Sequence, residues 1–212
     1  MNKEDLIGKF HTHFTVPENQ LDRAVTILNR YKVRHKTTVI DLSNRSIDGA
    51  SSLRDVMITT HYHTFRYGNF ANIEKEVIET YKALMNNGVH VYRMKIEHED
   101  LPTLSPTVHT YRECHIKIGF RKDNFKSDLD LLKMDGNLAD FSFSNNPHSS
   151  DKDFIFQFMN IRSRSGTIDR FDSQIELTLR YLAEKYPDLV IFKPKIETTI
   201  VDTHRGHDSW WA

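Results

Sequence analysis

The order of hydrophobic periods along the chain predicts an α+β fold: an internal duplication of a ferredoxin-like β-α-β-β-α-β unit, with two antiparallel sheets around a polar central cleft. Two observations carry this prediction. Segments of period two and segments of helical period follow one another in the same order in both halves. In addition, Lys95-Ile96-Glu97 recurs as Lys195-Ile196-Glu197, and His13 is matched by His115, at offsets of 100 and 102 residues.

In the first half, residues 10 to 16 (Phe-His-Thr-His-Phe-Thr-Val) alternate polar and apolar and predict a strand. Behind Pro17, Leu21, Val25 and Leu28 stand at helical spacing, so a helix is expected over about 18 to 32. Thr37 to Leu42 and Val56 to His63 predict two strands, separated by Ser43 to Asp55 with its Asn, Asp, Gly and Ser. Ile73, Val77, Tyr81 and Leu84 mark a second helix, closed by Asn87-Gly88 as a left-handed stop. Val91 to Glu97 is the fourth strand.

The second half repeats the order. Glu113 to Phe120 alternates as a strand, Ser127 to Met134 forms a short helix, and Phe141 to Ser144 and Phe154 to Ile161 are strands. Ile168, Phe171, Ile175, Leu179 and Leu182 form a helical stripe, and Val190 to Val201 closes with a β-branched strand. The expected organisation is a first lobe over 1–100, a linker over 101–110 containing Pro102 and Pro106, a second lobe over 111–203 and a tail over 204–212.

This unit has the sheet order 4-1-3-2 and both helices on one face. Each first strand then turns apolar residues towards the helices: Phe10, Phe14 and Val16 in one half, and Cys114, Ile116 and Ile118 in the other. The opposite face receives His11, His13 and Thr15, or Glu113, His115 and Lys117. On the fourth strands Tyr92, Met94 and Ile96 oppose Arg93, Lys95 and Glu97, while Phe192, Pro194 and Ile196 oppose Lys193, Lys195 and Glu197. The helix-free faces thus carry imidazoles, ammoniums and carboxylates, either as a ligand site or as a solvated surface.

Composition narrows the classes. Twenty-nine Lys and Arg balance 29 Asp and Glu over 212 residues, which argues against a general nucleic-acid or anionic-membrane binder. No apolar run reaches the roughly 20 residues of a membrane helix, and Met1 to Phe10 lacks a signal-peptide core, so a cytoplasmic protein is expected. The single cysteine, Cys114, excludes an internal disulfide framework and faces the helices as a small core residue.

The segment His13-Phe14-Thr15-Val16 fits a His-x-Thr-hydrophobic strand, in which an imidazole and a hydroxyl point the same way. With its counterpart His115-Ile116-Lys117-Ile118, it resembles the two-histidine phosphoesterase superfamily. That resemblance implies a metal-independent hydrolase acting on a cyclic phosphodiester or nucleotide-like small molecule. His13 and His115 would be its catalytic acid-base pair, and no cofactor would be needed. Thr15 would hold phosphate, and Lys117 stands where the family has Thr or Ser. Lys95 and Lys195 would stabilise developing charge, with Glu97 and Glu197 orienting them, unless each Lys/Glu pair is a same-face ion pair.

The same residues admit other readings. His13, His115, Glu97 and Glu197 are ligand types for a divalent metal, in a placement that resembles duplicated vicinal-oxygen-chelate enzymes. A non-catalytic binding module with a polar cleft is the third reading. His61 and His63 would neighbour His13 on the third strand; His204 and His207 belong to the tail that ends in Trp210-Trp211-Ala212.

Overall fold

The computed structural model describes residues 6–41, 54–60, 68–99, 111–163 and 168–203. The expected linker, the tail, His61 and His63 lie outside them. The described residues divide into two compact units, the first holding 6–99 with 198–203 and the second holding 111–197.

The first unit runs β1 (Ile7–Gly8), β2 (Phe10–Pro17), a 3-10 turn (Glu18–Gln20), α1 (Leu21–Arg30), β3 (His35–Asp41), β4 (Arg54–Thr60), β5 (Gly68–Asn69), α2 (Phe70–Asn86) and β6 (Arg93–Glu99). The strand order β3-β4-β2-β6 is the predicted ferredoxin-like order, antiparallel throughout. Helix α1 is shorter than expected because Glu18–Gln20 form a 3-10 turn behind Pro17, and Gln20 offers no side-chain cap. Asn69 does cap α2, its Oδ1 accepting from the N–H of Asn72 at 3.0 Å. Gly88 ends that helix at φ +74°, as Asn87-Gly88 predicted. The short pair β1–β5 was not legible, since two residues carry no period.

The second unit runs β7 (Tyr111–Arg121), a 3-10 turn (Lys122–Asn124), α3 (Phe125–Lys133), a second such turn (Gly136–Leu138), β8 (Ser142–Ser150), β9 (Phe154–Arg162), α4 (Ile168–Lys185), β10 (Val190–Ile191) and β11 (Lys195–Asp202). Its order is β8-β9-β7, with β10 and β11 beside β7. The single closing strand expected over 190–201 is broken, because Pro194 has no N–H to give to a ladder. The division between the units falls inside β11: Thr198–Asp202 belong with the first unit.

Side-chain alternation sorts as predicted on both first strands. Phe10, Phe14 and Val16 are buried, as are Cys114, Ile116, Ile118 and Phe120. In the second unit they join Leu132, Leu138, Phe141, Met159, Phe171, Ile175 and Leu182 in one core. The fourth strands depart from the expectation. Ile96 is buried, but Tyr92 and Phe192 are exposed, since β6 begins only at Arg93 and Phe192 stands in the gap between β10 and β11. Among the described residues, no helix is long and apolar enough to cross a membrane.

Candidate functional site

In the first unit, cross-strand register decides what His13 meets. It lies opposite Thr59 on β4 and Lys95 on β6. Its Nδ1 is 2.9 Å from Oγ1 of Thr59, and its Nε2 donates to Oε2 of Glu97 at 2.7 Å. The other oxygen of Glu97 pairs with the Lys95 ammonium and accepts a long bond from Oγ1 of Thr199 at 3.5 Å. Alongside this set, His11 Nε2 donates to Glu99 at 2.6 Å, and Arg93 makes a bidentate pair with Asp202 at 2.9 and 2.7 Å. Thr15 is buried opposite Met57 and Arg93. Of the two expectations for this face, a ligand site or a solvated surface, the second does not describe it: His11, Thr15, Arg93, Lys95 and Glu97 are all buried. Burying so many charges is tolerable because each meets an opposite charge or a hydrogen-bond partner.

In the second unit His115 lies opposite Asn160 on β9. Its Nδ1 donates to Oδ1 of Asn160 at 2.6 Å, and Asn160 in turn donates to Oγ of Ser144 at 3.0 Å. The other ring nitrogen is 3.6 Å from Glu197 and 3.8 Å from Glu113, which is ion-pair range rather than hydrogen-bond range. Glu197 is also held by Lys195 at 2.7 Å, and Glu113 by Arg162. Lys117, which stands where the two-histidine phosphoesterases have Thr or Ser, lies among aromatic rings. Its ammonium sits over the rings of Phe156 and Phe192, 4.0 and 4.9 Å from their centroids. Gly119 permits this, because a Cβ there would come within 3.0 Å of the Phe156 ring.

Both predicted histidines are thus held at Nδ1 by the residue directly opposite, Thr59 or Asn160, and approached at Nε2 by a fourth-strand glutamate that a lysine two residues earlier neutralises. Thr59 and Asn160 were missed in the sequence; the signal for them was the register, not a motif. The four residues considered as metal ligands fall as two pairs, His13 with Glu97 in the first unit and His115 with Glu197 in the second, each carboxylate carrying a lysine.

On the helix side each unit has a groove. In the first it lies between the end of α1 and α2, about 800 Å³, floored by Ile27, Leu28 and Val33 and walled by Lys32, Arg34, Glu76, Glu79, Thr80 and Ala83. In the second it lies between the turn after α3, the end of β9 and α4, about 670 Å³, with Leu138, Phe141, Ile161, Phe171 and Leu177 beside Asn137, Arg162, Arg170, Gln174, Thr178 and Tyr181. Sequence reasoning missed both. The wall residues correspond at a constant offset of 98: Glu76, Glu79, Thr80 and Ala83 match Gln174, Leu177, Thr178 and Tyr181. Thr80 and Thr178 are both buried and donate to the carbonyl four residues earlier, at 2.9 and 2.8 Å.

At one end of the second groove, Asp135 organises the turn after α3. Its Oδ2 accepts from Tyr181 Oη at 2.6 Å and from Lys185 Nζ and Tyr186 Oη at 2.8 Å each, while Oδ1 accepts from the N–H of Asn137 at 3.1 Å. The Lys185 and Tyr181 bonds hold the Asp135 carboxyl well below the usual carboxylate range, and the same bond raises Lys185. Burial, then Asp135, pushes the Tyr186 phenol up.

No protein-family model and no curated protein matches the chain. Several solved structures are similar over most of its length. The acetolactate synthase small subunit from Thermotoga maritima is 13% identical, with 89% of this chain and 94% of that one covered and a TM-score of 0.29. A mutant chlorite dismutase from Candidatus Nitrospira defluvii is 8% identical over 93% of each chain, TM-score 0.29. A putative monooxygenase from Fusobacterium nucleatum is 9% identical over 91% of each, TM-score 0.31. Likeness this slight carries nothing about reaction, ligand or partner. None of the three is a two-histidine phosphoesterase. The expected likeness to that superfamily, with the hydrolase and phosphoesterase activity it implied, is corrected: no such protein stands among these similar structures, both ring nitrogens of His13 are engaged by Thr59 and Glu97, and the Lys117 ammonium lies over the rings of Phe156 and Phe192.

Proposed function

We propose that this chain is a small-molecule-binding protein whose ligand sits in the helix-side groove of the second unit. The observation that carries the reading is a groove beside the long helix of each unit, with four wall residues of α2 matched in α4 at one offset and the same back-bonded threonine in each. A surface depression formed by accident has no reason to repeat at a fixed offset along two helices. The volume suits a small organic ligand, and the mixture of apolar floor with a few convergent polar groups is the usual character of such sites. On the histidine faces, by contrast, both ring nitrogens of His13 and the Nδ1 of His115 are engaged by neighbours in the same unit, which suits a structural role.

Amide-resolved NMR of the labelled protein, titrated with a panel of aliphatic and aromatic acids, amines and alcohols, tests the reading. Shifts should cluster at 161–163 and 170–181. Leu177→Trp, at a position 61% exposed and so tolerant of a larger side chain, should abolish them. Shifts centred instead on His13 or His115 would overturn it.

A further inference from the structure

We infer that the groove of the second unit takes an uncharged ligand, a molecule that carries hydroxyl or amide groups on an apolar body. This rests on the groove reading above and adds the chemical class of the ligand.

The first groove shows the same construction with charge in it. Four of its wall residues are ionic, Lys32 and Arg34 together with Glu76 and Glu79. In the second groove both carboxylate positions have become neutral: Gln174 stands where Glu76 does and Leu177 where Glu79 does. Thr178 and Tyr181 complete that stretch, so the α4 residues lining the groove from Gln174 to Tyr181 carry no charge.

The charges that border the second groove are committed within the chain or stand in water. Arg162 is held by Glu113, and its guanidinium lies over the Tyr111 ring, 5.2 Å from the centroid. Arg170 is exposed and already engaged within the chain. Asp140 is exposed, and an exposed pair with it would contribute little. A charged ligand entering this groove would give up hydration without meeting a buried counter-ion set aside for it, which is costly.

Neutral hydrogen-bonding groups, by contrast, have capacity to spare. The half-buried Gln174 amide makes no hydrogen bond among the described residues, which leaves its two N–H donors and its carbonyl acceptor for a ligand. Ser163 Oγ accepts from the N–H of Arg112 at 2.9 Å, and its own O–H is not spent on a neighbour among the described residues. Asn137 Nδ2 donates to Tyr181 Oη at 2.9 Å and to Asp135 Oδ1 at 3.3 Å, which leaves Asn137 Oδ1 as an acceptor. Water serves these groups in the free protein, and a ligand hydroxyl or amide can replace it bond for bond. From Gln174 to Tyr181 the helix rises about 10 Å, and Leu138, Phe141, Phe171 and Leu177 supply the apolar lining beside these polar points.

Calorimetric titration of the whole protein with 1-octanol, octanoate and octylamine, which share a tail and differ in head-group charge, tests the inference. Octanol should bind at least about tenfold more tightly than either ion. Gln174→Glu keeps the side-chain size and gives this groove the carboxylate that the first has at Glu76. It should raise the affinity for octylamine relative to octanol at least about fivefold and leave the circular dichroism spectrum unchanged. Equal affinity for the three probes, or tighter binding of an ion, abolished in each case by Leu177→Trp, would overturn the uncharged class and leave the groove standing. An octylamine-to-octanol ratio unchanged in Gln174→Glu would overturn it as well. Failure of every probe to bind, or binding indifferent to Leu177→Trp, would overturn the groove itself.

Discussion

Asp135 shows how much of the second unit hangs on a single carboxylate. In Asp135→Ala, the hydroxyls of Tyr181 and Tyr186 lose the acceptor they share, and the turn at 135–137 loses its tie to α4. Each hydroxyl bond to this charged acceptor contributes about 1.5 kcal/mol, the lower end of the range for charge-assisted bonds, because both tyrosines are only half-buried. The Lys185 ammonium, half exposed, returns to water and adds nothing to the sum. The expected loss is about 3 kcal/mol. Urea unfolding followed by circular dichroism at neutral pH measures it directly, and a thermal melt should fall by about 6–12 °C for a chain of this size. Acid provides a second check. Because the folded carboxyl titrates below its unfolded value, its stabilisation is complete above about pH 4 and fades as the pH drops further. The difference between wild type and variant should shrink in the same interval. A loss below 1 kcal/mol at pH 7, or a gap that persists undiminished at pH 2, would refute the reasoning.

Two further outcomes are expected. Gly119→Ala sets a Cβ within 3.0 Å of the Phe156 ring and 3.2 Å of Val190; neither neighbour is a flexible chain end, so a loss of about 1–3 kcal/mol is expected in denaturant titration, and wild-type stability would refute the close approach. Burial pushes the Cys114 thiol up to about 12, so Ellman's reagent at pH 8 should leave it unmodified in the folded protein and titrate one thiol in urea; rapid folded-state labelling would contradict its place in the core.

What could be read from the sequence follows from the range of each signal. Periodicity is local, and Phe10, Phe14, Val16 and Cys114, Ile116, Ile118 announced both first strands and the faces they bury. The helical stripe from Ile168 to Leu182 placed α4 equally well. Element order then yielded the strand order, since the unit admits few topologies. Register is a different matter: that Thr59 opposes His13 and Asn160 opposes His115 depends on turn lengths no pattern fixes, and those two residues decide that the imidazoles are tied down. His-x-Thr spacing describes direction along a strand and says nothing about partners across it. The grooves were invisible for a related reason. Their walls are the flanks of helices, where residues such as Glu76 and Gln174 look like ordinary solvated positions until the facing loop is known.

The assignment of Thr198–Asp202 to the first unit has a consequence for biosynthesis. The strand that carries Asp202, partner of Arg93, is made about a hundred residues after β6. A nascent first unit therefore waits, with β6 lacking that neighbour and its polar face incomplete, while the whole second unit leaves the ribosome. A fragment cut after Glu99 would be frozen in that state, with an open ladder edge prone to pairing with another copy. The two units are thus separable by compactness but not by order of synthesis, and the first to begin folding is the last to finish.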